Sequence, residues 1–364
     1  MTGPLAGLRV IELGGIGPGP FAGMLLADHG AEVIRVERPG AEQGADSTML
    51  RSRTIVELDL KNEAGVRHFR ALVKTADALI DPFRPGVMER LGLGPDVLLA
   101  DNPRLVFARI TGWGQTGPLA QRAGHDINYI GLSGALHAVG PAERPIPPLA
   151  LLGDLGGGGM FLAFSICSAL LHARRTGEGQ VIDCAMSEGS GLLMTAFHEL
   201  QAAGLWDDAR EANLLDGAAP FYGVYRTADD RFMAVGPLEP QFYAELLEKL
   251  GIGGDADFAR RNDRATWPGL RTRLETIFAT RTRDEWTQIF AEGDACVTPV
   301  LSMSEAPNHP HKRARHAYCD VAGVTQPAPA PLFSASPLAP PTAPRRVTVD
   351  QLVASRAAAR KPKV

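Results

Sequence analysis

The chain is poor in cysteine, and its four cysteines are scattered without a Cys-X-X-Cys pair. Cysteines of a disulfide framework or a structural zinc site recur at short, paired spacings. We therefore expect reduced thiols of the kind found in cytoplasmic proteins, and no metal centre. The four positions are Cys167, Cys184, Cys296 and Cys319.

Long apolar runs are also lacking: no uninterrupted stretch of about 18 apolar residues occurs, so the sequence predicts no membrane span. The opening residues, MTGPLAGLRVIEL, lack the basic start and apolar run that are typical of a signal peptide. The formal net charge of -4 predicts no globally basic surface, and therefore no nucleic-acid partner. These features favour a soluble, cytoplasmic protein.

Strand and helix signals alternate in the first third of the chain. Asn62, followed by Glu63, predicts a helix that is capped at Asn62 and continues to about Lys74. Alternation of this kind predicts an α/β domain with a Rossmann-like, mostly parallel sheet and helices on its faces. The strands predicted for this sheet are Leu8–Leu13, Ala31–Val36, Thr54–Leu60, Ala78–Ile80, Leu105–Ile110 and Gln180–Ala185.

The pattern changes after Gly153. A glycine run precedes a long apolar helix, predicted from Met160 to about Arg174. Gly223–Val235 predicts an antiparallel hairpin around an Asp-Asp turn, and helical patterns then dominate to about Glu292. This region predicts a second, smaller α+β domain.

Domain boundaries follow from these changes of pattern. Residues 299–344 are rich in proline and lack periodicity, so they predict either a strapping connection or a partly mobile segment. We expect a large domain at 1–185, a linker helix at 186–222, a small domain at 223–296 and a return linker at 297–324.

A glycine loop, GGIGPGP at Gly14–Pro20, lies where a dinucleotide-binding fold has its phosphate loop. It does not fit G-X-G-X-X-G, because the last glycine position is Pro20. Pro18 and Pro20 also lack the backbone N–H groups that such a loop directs at a diphosphate. The loop therefore predicts a tight turn that another group can approach closely, rather than an NAD or FAD site.

Basic residues recur at or near the predicted strand ends. The planar guanidinium group of arginine pairs with two phosphate oxygens, and ligands of open α/β sheets bind outside the carboxyl ends of the strands. Each residue alone fits a solvated surface charge, whereas the set favours an anionic ligand. The set is Arg38, Arg51, Arg53, Lys61, Arg84 and Arg90.

Three acid–base residues stand in unusual local sequences: His125 in GHDINY, Asp154 in GDLGGGG and Glu239 in PLEPQFY. Each has an ordinary structural alternative. His125 fits a hydrogen-bonded structural histidine, and Asp154 and Glu239 fit helix caps or first-turn acids. No spacing rule joins the three, so the residues alone leave their function open.

Several motifs taken together resemble the class III CoA-transferase superfamily. Within it, GHDINYIGLSGALHAVG, GDLGGGG and EPQFY resemble the bacterial α-methylacyl-CoA racemases. The similarity covers nearly the whole chain. The motifs of the superfamily are GPLAGLRVIEL and GPGPFAGMLLADHGAEVIRVERPG near the start, LDLK at Leu58–Lys61, FRPGVMERLG at Phe83–Gly92 and TGWGQTGP at Thr111–Pro118.

The resemblance implies an acyl-CoA substrate, no cofactor beyond the coenzyme A of that substrate, and no metal. It also implies an interlocked homodimer whose large domain is completed by about 325–364. His125 and Asp154 would be the two catalytic bases, and Glu239 would orient or polarise the histidine in the site of its own or of the partner subunit.

Two groups of binding residues are implied in the same way. The thioester region would be lined by Gly124, Asp126, Ile127, Asn128 and Tyr129. Coenzyme A would be held by Arg38, Leu58, Asp59, Leu60, Lys61, Pro82, Phe83, Arg84 and Arg90.

These roles imply racemisation by removal and return of the proton on the thioester α-carbon. Aspartate is a poor acid at neutral pH unless desolvation raises its pKa, so we expect Asp154 to be substantially buried or to share a proton with the thioester oxygen. We expect backbone N–H groups at the start of the glycine-rich helix to bind the enolate oxygen. Met186, Met194 and Met233 predict either an adaptable acyl surface or ordinary core packing.

Two alternatives stay open. One is a CoA-transferase on the same fold that uses Asp154 as a nucleophile, in which His125 has no required part. The other is a protein that binds acyl-CoA without catalysis.

Overall fold

The computed structural model describes residues 2–41 and 48–352, and the chain divides into two compact units. The first unit comprises the residues up to Ser133, Leu149–Leu193 and the residues from His309 onward; the second comprises Gly134–Pro148 and Met194–Asn308. Residues 186–222 contain two short helices that belong to different units. The domain boundaries drawn from the sequence stay predictions, because compact packing does not measure independent folding.

A seven-stranded sheet forms the centre of the first unit. Its strands are β1 (Arg9–Leu13), β2 (Glu32–Glu37), β3 (Thr54–Glu57), β4 (Ala78–Asp81), β5 (Val106–Thr111), β6 (Gln180–Ala185) and β12 (Arg345–Val347). Their order across the sheet is β12-β3-β2-β1-β4-β5-β6, and every neighbouring pair is parallel. This confirms the predicted Rossmann-like sheet. The edge strand β12 returns from late in the chain to pair with β3.

Helices of the first unit cover both faces of this sheet. They are α1 (Pro18–Asp28), α2 (Glu63–Val73), α3 (Val87–Arg90), α4 (Pro95–Asp101), α5 (Asp126–Leu132), α7 (Phe161–Thr176), α8 (Met186–Leu192) and α13 (Pro310–Ala314). On one face Val10 of β1 shares a core cluster with Leu162 of α7, and on the other face Ile11 shares one with Phe69 of α2. Apolar residues on both sides of a strand are typical of a buried parallel sheet.

The helix starts differ in how well the sequence predicts them. The Asn62 side chain accepts a hydrogen bond from the Gly65 backbone N–H at 2.8 Å, which confirms the predicted cap of α2. The sequence pattern indicates a helix over Phe21–His29, but α1 begins three residues earlier at Pro18, because a proline without an N–H group is well suited to the first helical turn.

The glycine run before α7 is itself helical. Leu151–Met160 forms a π-helix that continues directly into α7, so Asp154 lies inside a helical segment and not at its N-cap. Helix α7 ends at Thr176, close to the predicted end at about Arg174, and Gly177 caps it in the left-handed conformation with φ 84°.

Close contact between two backbones explains part of this glycine run. A Cβ atom on Gly189 of α8 would lie 1.9 Å from the carbonyl oxygen of Gly157 in the π-helix, and a Cβ atom on Gly157 would lie 2.4 Å from the Ser190 nitrogen. Backbone atoms cannot swing aside as flexible side chains do. The two helices therefore require glycine at both positions.

We expect Gly189→Ala to lower the free energy of unfolding by about 3 kcal/mol or to prevent folding, because the added methyl group overpacks a backbone contact. Gly191→Ala in the same helix is the matched control. Its nearest neighbour would be the Ser133 Cβ at 3.8 Å, so the change should be neutral or slightly stabilising. Thermal unfolding of both variants measures the difference; equal midpoints would contradict the close contact.

The second unit is built around a three-stranded antiparallel sheet, β7 (Gly223–Arg226), β8 (Phe232–Val235) and β9 (Val297–Pro299). The hairpin predicted over 223–235 is confirmed by β7 and β8. Its core includes Tyr225, Phe278 and Trp286, and Met233 is fully buried there, as core packing predicts. Its helices are α6 (Ala135–Ala138), α9 (Thr195–Ala202), α10 (Pro240–Lys249), α11 (Trp267–Phe278) and α12 (Arg283–Ile289).

The proline-rich segment of the first unit runs alongside the residues that precede β3. After a hairpin of β10 (Tyr318–Val321) and β11 (Val324–Pro327), the Ser52 N–H donates to the Thr342 carbonyl oxygen at 2.7 Å. Arg51 donates to the side chain of Gln326 at 2.9 Å. These contacts lead the chain along the sheet edge to β12, as a strapping connection does.

One helical stretch, Leu151–Thr176, is long and apolar enough to cross a membrane by length and composition alone. Core helices of soluble proteins pass the same test, and Leu162, Ile166 and Leu170 of this stretch are buried in the first unit. The predicted absence of a membrane span stays a prediction.

Candidate active site

His125 and Asp154 line one cavity of about 410 Å³ in the first unit. The cavity lies at the carboxyl ends of β1, β4 and β5, where residues that follow these strands meet at one edge of the sheet. The structure therefore brings these two side chains to one cavity, although 28 residues separate them along the chain. Apolar side chains of the same cavity include Ile110, Trp113 and Met186.

His125 is fixed by the start of α5, where it is the N-cap residue with an extended backbone. Its N–H donates to the Asn128 Oδ1 atom at 3.0 Å, and its carbonyl oxygen accepts from the Asn128 N–H at 2.8 Å. The Tyr129 hydroxyl donates to the Gly124 carbonyl oxygen, and its ring packs edge-on against Trp113 at 4.9 Å. Asn128 and Tyr129 therefore hold the backbone that presents the imidazole.

Asp154 projects from the π-helix toward the glycine loop. Its Oδ2 atom lies 3.0 Å from the position of a Cβ atom on Gly17, whose φ of 67° also favours glycine. Burial raises the pKa of the half-buried Asp154 carboxyl; the nearby Asp126 charge adds to this rise, and His125 opposes it. Asp154 is thus less buried than the predicted substantial burial, but desolvation acts on its pKa in the predicted direction.

Asp126 is buried and is not among the residues that line the cavity of His125 and Asp154. Its Oδ1 atom accepts hydrogen bonds from the N–H groups of Gly153 at 2.7 Å and Asp154 at 2.8 Å. The next amide, that of Leu155, donates to the Ala150 carbonyl oxygen at 3.2 Å. The amides expected to bind an enolate oxygen therefore already have acceptors. The side chain of Ile127 is exposed.

A second cavity, of about 470 Å³, adjoins the first and shares Gly14, Gly15, Ile16 and Phe83 with it. Residues predicted to hold coenzyme A line it at the ends of β2 and β3. They are Arg38, Leu58, Asp59, Leu60 and Lys61, together with the shared Phe83. Pro82 and Arg84 line the first cavity beside His125.

A third cavity, also of about 470 Å³, continues from the second through Leu60, Lys61 and Leu91. Arg67 and Arg90 line it. The three cavities follow one edge of the first unit from His125 to Arg90, with cationic side chains along their course. This path brings together all nine residues predicted for coenzyme A.

Two arginines of the predicted basic set are structural. Arg51 is buried and donates to Asp28 Oδ1 at 3.0 Å, and Arg53 is buried and pairs with Glu12 at 3.1 Å. Their charges are already neutralised within the protein, so the suggestion that they bind an anionic ligand is wrong. Arg122 lines the first cavity, but the sequence offered no strand-end signal for it.

Glu239 belongs to the second unit and is the N-cap residue of α10, before Pro240. Its side chain makes no capping hydrogen bond, so the cap alternative does not account for the carboxylate. Its predicted action on His125 stays a prediction. Among the described residues, no group of three or more His, Cys, Asp or Glu could hold a metal ion, and the expectation of a reaction without metal or cofactor also stays a prediction.

Asp81 supports the turn that carries Phe83 and Arg84. Its Oδ1 atom accepts from the Phe83 N–H at 2.9 Å, and Arg109 lies 3.6 Å from the other oxygen. Burial raises the pKa of Asp81 to about 6, partly offset by the Phe83 hydrogen bond and Arg109.

We expect Asp81→Asn to gain stability relative to the natural protein as pH rises from about 4 to 7, by up to about 3 kcal/mol. Because the folded pKa lies above the unfolded one, the stabilising contribution of Asp81 is complete below its unfolded pKa and is lost as pH rises through about 6. Urea unfolding at several pH values measures this difference.

Asp101→Asn is the control with opposite sign, because hydrogen bonding to Arg70 lowers the pKa of Asp101. The stability of that variant relative to the natural protein should fall as pH rises. A pH-independent difference for Asp81→Asn would contradict the raised pKa.

Comparison with known proteins gives a consistent result over most of the chain. A family model described as CoA-transferase family III matches residues 5–347. The chain is 48% identical to a Mus musculus protein named alpha-methylacyl-CoA racemase, and 46% identical to the Homo sapiens protein of that name. Each alignment covers 92% of this chain and 88% of the relative.

A solved structure has the same fold. The crystal structure of a CAIB/BAIF family protein from Brucella suis matches with a TM-score of 0.82 at 27% identity. The match covers 98% of this chain and 100% of that chain. The fold class and the superfamily predicted from the sequence motifs are thus confirmed.

Proposed function

Because this chain belongs to CoA-transferase family III, we propose that it epimerises 2-methylacyl-CoA thioesters by proton transfer between two opposed groups, His125 and Asp154. The relatives named alpha-methylacyl-CoA racemase support a racemase, which is an isomerase. The observation that carries the mechanism is that an imidazole and a carboxyl group line the same cavity. A 2-methylacyl group placed between them presents its α-carbon to a proton carrier on either side.

The reaction is a proton removal followed by a proton return. For one epimer, neutral His125 takes the α-proton, an enolate forms, and protonated Asp154 delivers a proton to the opposite face. For the other epimer, Asp154 takes the proton and protonated His125 returns it. Burial raises the pKa of Asp154, so its carboxyl keeps a proton at higher pH than an exposed aspartate does, which suits a group that must also deliver a proton.

The enolate oxygen needs hydrogen-bond donors other than the amides of Gly153 and Asp154, which Asp126 occupies. The first-turn amides of α5, those of Asp126 and Ile127, adjoin His125. First-turn N–H groups have no acceptor within their own helix. We assign the enolate oxygen to these amides, where the thioester carbonyl would lie beside the imidazole.

Coenzyme A, as part of the substrate, would follow the second and third cavities. Arg38, Lys61, Arg84 and Arg90 supply positive charge for its diphosphate and its 3′-phosphate. The acyl chain would lie on the apolar surface formed by Ile110, Trp113 and Met186, since Met186 can adapt to different chains.

Incubation of one epimer of a 2-methylacyl-CoA in deuterated water tests the reaction. We expect both epimers to appear with deuterium at the α-carbon, as read by proton NMR. His125→Ala and Asp154→Asn should each lower the rate of epimerisation by at least about 10³-fold, because each removes one of the two proton carriers.

His68→Ala, on the exposed face of α2, is the control and should retain the rate of the natural protein. Transfer of coenzyme A to a free acid without deuterium at the α-carbon would contradict the proposal and favour a transferase with Asp154 as nucleophile. Binding of acyl-CoA with neither reaction would favour a non-catalytic binder.

We also propose that the protein forms a homodimer through apolar residues that a single chain leaves exposed. On α7, Leu162 and Ile166 face the core, whereas Phe164 is 71% exposed and Leu171 is 61% exposed. Large apolar side chains on the outer face of a core helix are typical of an interface. A second copy of this chain fits the interlocked dimer that the superfamily resemblance implies.

The double change Phe164→Glu with Leu171→Glu should convert a dimer into monomers, because two carboxylates would lose solvation in the interface. Sedimentation equilibrium measures the particle mass. His68→Glu is the exposed control and should stay dimeric. A natural protein that sediments as a single chain would contradict the proposed dimer. The cytoplasmic location and the absence of nucleic-acid partners stay predictions.

A further inference from the structure

The Asp126 carboxylate is a buried charge that joins two separate segments of the first unit. Only 7% of the residue is exposed. Its Oδ1 atom accepts the backbone N–H groups of Gly153 and Asp154, at 2.7 and 2.8 Å, across 27 and 28 residues of chain. Its Oδ2 atom is buried and has no hydrogen-bond partner among the described residues. Burial of such a group without a cation partner is costly and requires a reason.

We infer that Asp126 is a positioning residue that fixes the backbone of Asp154 relative to the helix start that carries His125, and so sets the separation of the two proton carriers. This inference rests on the proposed function of His125 and Asp154. The Asp126 side chain takes no part in the proton transfer, since its carboxylate does not line the cavity and accepts hydrogen bonds from the two amides.

The connection between the two proton carriers is short and stiff. His125 and Asp126 share a peptide bond, and the His125 backbone is held at the start of α5 by Asn128. From Asp126 one charge-assisted hydrogen bond reaches the amide of Asp154 itself. A Cβ atom on Gly153 would lie 2.6 Å from the Asp126 oxygen, so the neighbouring residue must be glycine for this contact.

The same carboxylate affects the proton affinity of Asp154. Burial is the largest cause of the raised pKa of Asp154, and the negative charge of Asp126 is the second. Among the charged and titratable groups near Asp154, His125 opposes this effect, and Tyr129 interacts with Asp154 and with Arg84. A neutral residue at position 126 would therefore lower the pKa of Asp154.

Two variants separate the hydrogen bonds from the charge. Asp126→Asn keeps an oxygen that can accept from both amides but removes the charge, whereas Asp126→Ala removes both. Asp77→Asn is the matched control, because Asp77 accepts the Arg9 N–H at 2.8 Å beside the opposite ends of β1 and β4. It should leave catalysis and its pH dependence unchanged.

The kinetic readout is the pH profile of α-proton exchange. In Asp126→Asn, the acid limb of kcat/KM should move to lower pH, because Asp154 loses a neighbouring negative charge. In Asp126→Ala, kcat should fall about 10²-fold, with KM within about threefold, because the proton carriers lose their alignment while the binding residues stay. An unmoved acid limb in Asp126→Asn, or full kcat in Asp126→Ala, would overturn the inference.

A readout without turnover keeps this inference separate from the proposed reaction. Hydrogen exchange by NMR should show protected Gly153 and Asp154 amides in the natural protein and in Asp126→Asn, and fast exchange in a folded Asp126→Ala. A carbon-13 titration of the Asp154 carboxyl should give a lower pKa in Asp126→Asn. If these changes occur in a protein that does not exchange the α-proton, the proposed reaction is wrong, but Asp126 still positions the backbone of Asp154. Unchanged amide protection in Asp126→Ala would refute that positioning role.

Discussion

The Glu12 carboxylate lies fully buried in β1 between the guanidinium groups of Arg35 and Arg53. The same two arginines donate to backbone carbonyl oxygens of the glycine loop, Arg35 to Gly15 at 3.0 Å and Arg53 to Pro20 at 2.6 Å. Loss of one partner would leave an unpaired buried charge, at a cost of about 3–5 kcal/mol. The loop is thereby held in one position above the strand ends. The loop lines both the cavity of His125 and Asp154 and the second cavity beside it. The charge network therefore helps to shape both cavities.

Much of the fold and of the candidate site could be predicted, because both follow from local patterns. Apolar strand runs alternating with helix signals predict the parallel sheet, and the sheet brings residues after successive strands to one edge. Arg38, Lys61 and Phe83 therefore line adjoining cavities although no spacing rule links them. That His125 and Asp154 line one cavity could be predicted only from the resemblance to known motifs, because it depends on contacts between distant segments.

The rest depends on packing, which a strand or helix pattern does not encode. Arg51 and Arg53 look like Arg38 in the sequence, and only their pairing with Asp28 and Glu12 marks them as structural. The GDLGGGG motif predicts a helix cap, yet it forms a π-helix, and its glycine at Gly157 permits close backbone contact with α8. Asp126 lies in a motif that implies substrate contact, but its side chain accepts hydrogen bonds from the backbone N–H groups of Gly153 and Asp154.

Strand β12 completes the sheet from far along the chain: Arg345 bonds to the side chain of Thr54 across 291 residues. Ribosomes extend a chain at about 5–20 residues per second, so roughly 15–60 s pass between the synthesis of β3 and that of β12. In that interval, the unpaired backbone of β3 is a template for pairing with other nascent chains. Protection of that edge by a molecular chaperone would therefore limit aggregation while the protein is being made.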